Sequence, residues 1–229
     1  MIIDAHAHID VARPGILTVL CGTEPESAER VLAMQSENGI ASCALHPWYT
    51  DRHSVEDMLP YIERSPILGE IGLDSVWTDV PMVHQYKAFR EQLGIAARLN
   101  KPVVLHTKGM EREIAREIRP YSVRKLVHWY SCEDFLDDYL EQDCWFTVGP
   151  DHENNPAVQQ VIRRVPLNRL LTETDGLSAV EWALDRSVQP GELESVLRGE
   201  LNAIAQAKGI TAAEAEEAVY RNLMEFVYG

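Results

Sequence analysis

Lys101-Pro102-Val103-Val104-Leu105-His106 is a short apolar run that opens after a proline and stops at a histidine. A strand apolar on both faces suits a parallel sheet covered on both sides, not a sheet with one wet face. Just upstream, residues 81–99 carry Val83, Tyr86, Phe89, Leu93 and Ala96 at spacings of three and four, the stripe of a helix with one buried face. Asn100 with Lys101-Pro102 ends that helix and opens the strand. Helix then buried strand is one unit of an α/β repeat.

The unit recurs in both directions. Apolar runs near 2–6, 16–22, 40–45, 67–71, 102–106, 125–129, 144–148 and 169–173 predict eight strands, with helical patterns between most of them. Strands and helices alternating in this number predict an α/β fold, a (β/α)8 TIM-type barrel built as a single domain over residues 1–229. Toward the C-terminus, Leu193, Leu197, Leu201 and Ile204 line one helical face, and Gly209 is a natural stop. Thr211 and Glu214 then form a T-x-x-E capping box, and the helix that follows packs Val219, Leu223 and Phe226 on the barrel. Only about nine residues separate the first two strands, too few for a helical crossover, so a loop is expected there.

Composition sets the class. The 229 residues are 45% hydrophobic and 25% charged, which is ordinary for a soluble globular chain with a sizeable core. Thirty-six acidic against 21 basic residues give a formal net charge of −15. Such a surface repels polyanions at long range, and a nucleic-acid ligand needs local positive charge or metal ions to offset it. No apolar run is long enough to span a bilayer, so no membrane partner is expected. The N-terminal residues lack the basic-then-apolar layout of a signal peptide. Cys21, Cys43, Cys132 and Cys144 are widely spaced and form no C-x-x-C pair. Cys21 and Cys43 fall within apolar runs, as buried reduced thiols do, and a cytoplasmic location is the default expectation.

The chemistry lies at the strand ends. In Met1-Ile2-Ile3-Asp4-Ala5-His6-Ala7-His8 the two histidines are two residues apart, so both imidazoles project from the same face of one strand. Catalytic groups of a (β/α)8 barrel stand at the C-terminal strand ends. Glu70 in Gly69-Glu70-Ile71-Gly72 falls at the end of strand 4, His106 at strand 5 and His128 at strand 6. Asp175 in Thr172-Glu173-Thr174-Asp175-Gly176 follows strand 8. Four imidazoles and two carboxylates exceed the three protein ligands of an ordinary catalytic zinc, and suit two divalent ions a few ångströms apart. His6, His8 and Asp175 are assigned to the first ion, His106 and His128 to the second, and Glu70 to a bridge between them. Asp175 also orients the attacking water and accepts its proton, so Asp175 and Glu70 are the catalytic candidates. Mixed nitrogen and oxygen ligands admit zinc, manganese, nickel, iron or magnesium.

The chain resembles the TatD family of metal-dependent hydrolases and nucleases, within the amidohydrolase superfamily. The matching segments are Asp4-Ala5-His6-Ala7-His8-Ile9-Asp10, Gly69-Glu70-Ile71-Gly72-Leu73-Asp74, Lys101-Pro102-Val103-Val104-Leu105-His106 and Glu173-Thr174-Asp175, with Gln85 and Phe89 in the helix after the second. The resemblance implies a distorted (β/α)8 barrel, a metal site made by the six ligands above, and phosphodiester hydrolysis, typically of DNA. The pocket rim departs from the family pattern. Lys108 stands where an arginine is usual, and His128-Trp129-Tyr130-Ser131-Cys132 replaces an H-x-F-S-G segment. Gly176-Leu177-Ser178 and Trp182 replace a proline-containing stretch.

Three further residues are substrate-binding candidates. His46 in His46-Pro47-Trp48 follows strand 3 and suits a phosphate or oxyanion, or a purely structural place in its loop. Lys108 can neutralise phosphate as a point charge. Asp74 either meets a ligand through water or supports its own turn, and the supporting role is favoured. Arg112, Arg116 and Arg119 share a helical face but alternate with Glu111, Glu113 and Glu117, which reads as a solvated, salt-bridged surface. The leading expectation is a two-metal hydrolase of phosphodiesters, with small substrates preferred over long DNA. The alternatives are amide, lactone or deamination chemistry on the same barrel, and a metal-binding barrel without catalysis.

Overall fold

Every one of the apolar runs forms a strand in the computed structural model, which describes residues 1–8 and 13–229. In chain order the strands are β1 (Ile2–Ala7), β2 (Ile16–Gly22), β3 (Gly39–Cys43), β4 (Leu68–Gly72), β5 (Val103–His106), β6 (Lys125–Val127), β7 (Trp145–Val148) and β8 (Leu170–Thr172). All pairings are parallel, and nearly every strand residue is buried, as continuous apolar runs require. The ladders form two sheets, β1-β2-β3 and β4-β5-β6-β7-β8.

The sheets meet along two thin seams. At one, Ser42 and Ile67 form a single parallel bridge, and Ser42 Oγ donates to Gly69 O at 2.8 Å. At the other, Ala7 pairs with Asp175, and Thr172 Oγ1 donates to Ile3 O at 2.6 Å. The result is a distorted (β/α)8 barrel, ladder-paired within each sheet and stitched between them.

The helices are α1 (Pro25–Ala33), α2 (Val55–Arg64), α3 (Met82–Leu99), α4 (Glu111–Glu117), α5 (Leu136–Leu140), α6 (Pro156–Arg164), α7 (Leu177–Leu184), α8 (Leu193–Lys208) and α9 (Ala212–Tyr228). Half of the loop expected between β1 and β2, residues 9–12, lies outside the described residues, and with it Ile9 and Asp10 of the first motif. α8 buries Leu193, Leu197, Leu201 and Ile204 and ends at Gly209 with φ 67°, and the Thr211–Glu214 capping box starts α9. α9 lies over β1 and β8, where it buries Val219, Leu223 and Phe226 and so covers the second seam from outside.

The stripe expected on α3 needs correction. Val83 is exposed and Tyr86 only half-buried, whereas Gln85, Ala88, Phe89, Gln92, Leu93, Ile95 and Ala96 are buried. Two of those positions are glutamines bonded to loop backbone. Gln92 accepts from Leu45 N at 2.8 Å and donates to Leu45 O at 3.0 Å. Gln85 accepts from Asp74 N at 2.8 Å and donates to Asp74 O at 3.0 Å. α3 thus turns a polar pair inward to satisfy the loops after β3 and β4, which offsets the cost of burying their peptide groups.

Candidate metal centre

His6 stands at the penultimate position of β1 and His8 just past its end, so both rings enter the barrel mouth from one face. Asp175 reaches them from the opposite side of the seam. Its N–H donates to His6 O at 3.0 Å, and its own φ is 57°. The next residue must be glycine, because a Cβ on Gly176, at φ 100°, would lie 2.7 Å from His8 O. Asp4 anchors the same segment, accepting from Thr174 N at 2.9 Å and Thr174 Oγ1 at 2.7 Å. Burial pushes the Asp4 carboxyl up to about 7, against the pull of those two bonds.

Glu70 divides the cluster. Its Oε2 lies 3.5 Å from His6 Nε2 and 3.4 Å from His8 Nε2, and those two nitrogens stand 3.3 and 3.5 Å from Asp175 Oδ1. Its Oε1 lies 2.8 Å from His106 Nδ1 and 2.6 Å from His128 Nε2, which are 3.3 Å apart. Donor bonds of about 2.0–2.2 Å to one divalent ion hold neighbouring ligands roughly 3.0–3.5 Å apart. In the first set all four imidazole–carboxylate distances fit that spacing. His6 Nε2 and Asp175 Oδ1 are moreover buried without a hydrogen-bond partner, a costly state for two atoms facing each other unless a cation lies between them.

The residues behind the cluster fix its nitrogens. His106 Nε2 donates to Asp74 Oδ2 at 2.9 Å, which turns Nδ1 onto Glu70 Oε1 as the nitrogen that faces the centre. His128 turns Nδ1 to Glu173 Oε1 at 3.5 Å, and His6 turns Nδ1 to Cys21 Sγ at 3.2 Å. Glu173 is fully buried, burial pushes its carboxyl up to about 7, and its N–H is bound by Glu200 of α8 at 3.2 Å. Burial, reinforced by His128, pushes His6 down to about 4, so it is neutral and free to ligate. Burial opposes ionisation of Glu70, but His128, His46 and His6 outweigh it and hold that carboxylate well below the usual range. Burial opposes ionisation of Asp175 as well, but the neighbouring His6, His8 and His128 together outweigh it and lower that carboxyl. His8, His106 and His128 are raised despite burial: Glu70 supports all three, Asp74 adds to His106 and Glu173 to His128.

All six ligand-type residues read from the sequence therefore converge. Of the three substrate candidates, His46 is buried with Nε2 3.6 Å from Glu70 Oε2. Its Nδ1 accepts from Trp48 N at 3.2 Å, so its proton is on Nε2, facing the centre, and burial pushes its pKa down to about 4. Lys108 stands at the rim, its Nζ 3.1 Å from Ser131 Oγ and 5.6 Å from the centre of the Trp77 ring. Asp74 does not reach a substrate position. It is fully buried, and its oxygens are taken by His106, by Trp48 Nε1 at 2.7 Å and by the N–H groups of Val76 and Trp77. It is the supporting residue beneath His106. Arg112, Arg116 and Arg119 are exposed as a solvated face requires; Arg119, two residues past α4, reaches Glu141 at 3.5 Å, and Glu117 pairs with Arg90 of α3 at 2.6 Å.

Two clefts open on the centre and share His106, His128 and Asp175. One, of about 790 Å³, runs toward α1 past Thr23 and Arg30. The other, of about 400 Å³, is walled by Trp77, Trp129 and Trp182 with Lys108 beside them. Glu173, Glu200 and Cys21 are absent from the sequence reading as members of the site. Glu173 lies within the quoted Glu173-Thr174-Asp175 motif, whereas no local pattern ties Glu200, in a distant helix, to the barrel mouth.

Comparison with known proteins bears on the family and the fold. The family model described as TatD related DNase matches residues 3–227. The metal-dependent hydrolase YcfH of Escherichia coli K12 is 32% identical over 156 residues, a match covering 64% of this chain and 58% of YcfH. The 3'-5' ssDNA/RNA exonuclease TatD of Edwardsiella piscicida is 29% identical over 163 residues, 66% of this chain and 61% of that protein. The crystal structure of YjjV, a TatD homologue from E. coli K12, superposes with a TM-score of 0.83 at 23% identity, covering 100% of this chain and 98% of YjjV. That likeness carries the barrel fold.

Proposed function

The chain belongs to the TatD related DNase family, and on that premise we propose that residues 1–229 form one divalent-metal-dependent hydrolase domain that cleaves phosphodiester bonds. The observation that carries this reading is the division of Glu70 between two histidine pairs, Oε2 toward His6 and His8 and Oε1 toward His106 and His128. His6, His8, Asp175 and Glu70 would hold one ion, and His106, His128 and Glu70 a second. Zinc, manganese, nickel, iron and magnesium are all compatible with that donor set. Bound there, such ions would supply Lewis acidity toward a phosphoryl oxygen and would bring the pKa of a bound water toward neutrality.

The protein's own groups do the rest. Asp175, ionised at neutral pH, orients the attacking water and takes its proton. Neutral His46 presents Nε2–H beside the centre and donates to a phosphoryl oxygen as charge builds on it. Lys108 neutralises phosphate from the rim. The free cysteines, three of them buried, suit a reducing, cytoplasmic setting. Among the described residues no helix is long and apolar enough to cross a membrane. The substrate is a small or single-stranded phosphodiester, with DNA admitted through a free end.

The test is hydrolysis of a single-stranded oligonucleotide by metal-loaded protein, before and after EDTA and after manganese is restored, with elemental analysis alongside. Expected are cleavage, its loss and its return, and about two ions per chain. Cleavage that persists after verified metal removal overturns the mechanism. Turnover confined to amide or lactone substrates moves the reaction to the wider amidohydrolase class.

A further inference from the structure

Large apolar side chains are costly to leave in water, yet Trp77 is 53% and Trp182 61% exposed, both at the mouth of the barrel. Trp182, on α7, meets Trp77 edge-on at 5.9 Å and Trp129 edge-on at 6.0 Å. Neither pair is stacked, so indole faces remain for a planar ligand. Trp129 is firmly set. It has φ 35°, its indole N–H donates to Asp151 Oδ1 at 2.8 Å, and a Cβ on Gly149 would come within 2.8 Å of its ring. A glycine at 149 thus gives the ring its seat, and the platform loses little entropy when a ligand arrives.

We propose that this tryptophan-walled cleft is a stacking subsite for the nucleobase attached to the scissile phosphate. The inference rests on the phosphodiesterase reading and adds the class of group the substrate must carry. Three observations converge on it. The cleft shares His106, His128 and Asp175 with the metal centre, so one ester arm of a phosphodiester bound there extends into it. Lys108 stands between the Trp77 ring and Ser131, placed for the phosphate at the cleft entrance. The planar group that accompanies a phosphodiester is a nucleobase, and aromatic side chains stack on any base through its π-face. At the far wall the acceptors are engaged, Asp151 Oδ2 by Asn155 Nδ2 at 2.7 Å, Asp151 Oδ1 by the Trp129 indole and Asn155 Oδ1 by Ala157 N. Recognition here is stacking without reading of the base edge. All four bases are accepted with similar affinity.

The test compares a thymidine dinucleotide with the same phosphodiester carrying a tetrahydrofuran abasic residue at one end, then the other. Wild-type protein should prefer the base-bearing substrate at one end by about tenfold in kcat/KM, within the range expected for stacking one base. Trp182→Ala should reduce that preference to about twofold or less, and Trp182→Phe should keep most of it, since both a ring and its π-face remain. Equal kcat/KM for base-bearing and abasic substrates at both ends, or a preference untouched by Trp182→Ala, overturns the subsite while leaving the hydrolase reading intact. If neither substrate is cleaved, the hydrolase reading fails, and calorimetry on metal-loaded protein decides the subsite alone. Thymidine monophosphate binding more tightly than deoxyribose 5-phosphate, with the difference lost in Trp182→Ala, upholds it. Equal affinities overturn it.

Discussion

Asp74 holds His106 by its outer nitrogen: His106 Nε2 donates to Asp74 Oδ2 at 2.9 Å, and Nδ1 is thereby turned onto Glu70 Oε1. The pair sets the orientation of one proposed ligand of the second ion, and Asp74 itself bonds none of the first ion's ligands.

Asp74→Asn should therefore weaken the second ion selectively, by about ten- to a hundredfold in affinity, the usual cost of losing such a support. His106→Ala and His128→Ala should remove that ion altogether, and His6→Ala should weaken the first. Elemental analysis and metal titration read the outcome. An Asp74→Asn protein that keeps two ions at wild-type affinity would show that the carboxylate is only a turn residue.

Asp175→Asn should lower kcat by at least about a hundredfold, the smaller cost of removing a general base. The fold should persist, because the side chain is nearly isosteric and asparagine tolerates the positive φ of 57° found there. Circular dichroism checks the fold and steady-state kinetics the rate. Near wild-type turnover at saturating metal would assign the base elsewhere.

Metal removal should reverse the pH dependence of stability above pH 6.5. In metal-free protein His8, His106 and His128 are raised above the 6.5 of the unfolded chain. Such groups bind protons more tightly when folded, so their contribution is full below that pH and is lost as pH rises through their folded values. Asp4 and Glu173, raised to about 7, act in the same direction: each keeps its proton longer folded than unfolded. Metal-free stability should fall as pH climbs from 6.5. Metal uptake displaces histidine protons, so metal-loaded protein should gain affinity and stability over the same interval. Melting curves with and without EDTA at several pH values give the two slopes, and slopes of equal sign would contradict the ligand assignment.

Short single-stranded phosphodiesters should be cleaved faster than long duplex DNA, and Lys108→Ala should raise KM for the short substrate roughly tenfold, as expected for one hydrogen bond to a charged group. A duplex approaches a chain of net charge −15 and must fray before a bond enters the mouth. The disparity should narrow as salt rises. Preferential cleavage of long duplex at low salt would reject this account.

The barrel was legible because buried parallel strands leave an unmistakable trace: each apolar run, from Ile2–Ala7 to Leu170–Thr172, recurs in the structure. The six ligand-type residues were legible for a related reason, since each follows such a run and strand ends converge in this architecture. The face of α3 was misread because an apolar stripe assigns no weight to Gln85 and Gln92, whose burial depends on loops far along the chain. Asp74 was weighed for two roles that its local sequence does not separate; only the approach of His106 and Trp48 decides between them. The tryptophan wall was invisible for the same cause. Trp77 follows β4, Trp129 follows β6 and Trp182 lies on α7, and they meet only in space.

The thin seam between β8 and β1 gives the metal centre a mechanical role. His6 and His8 stand at the end of a strand of the smaller sheet, Glu70, His106 and His128 on or just past strands of the larger, and Asp175 in the bridge that joins the two sheets at this seam. Ions held by this set would act as rivets across one of the two thin joints of the ring. Loading and seam opening then become one equilibrium, in which amide protons beside Ala7 and Asp175 exchange with solvent only as often as the rivets let go.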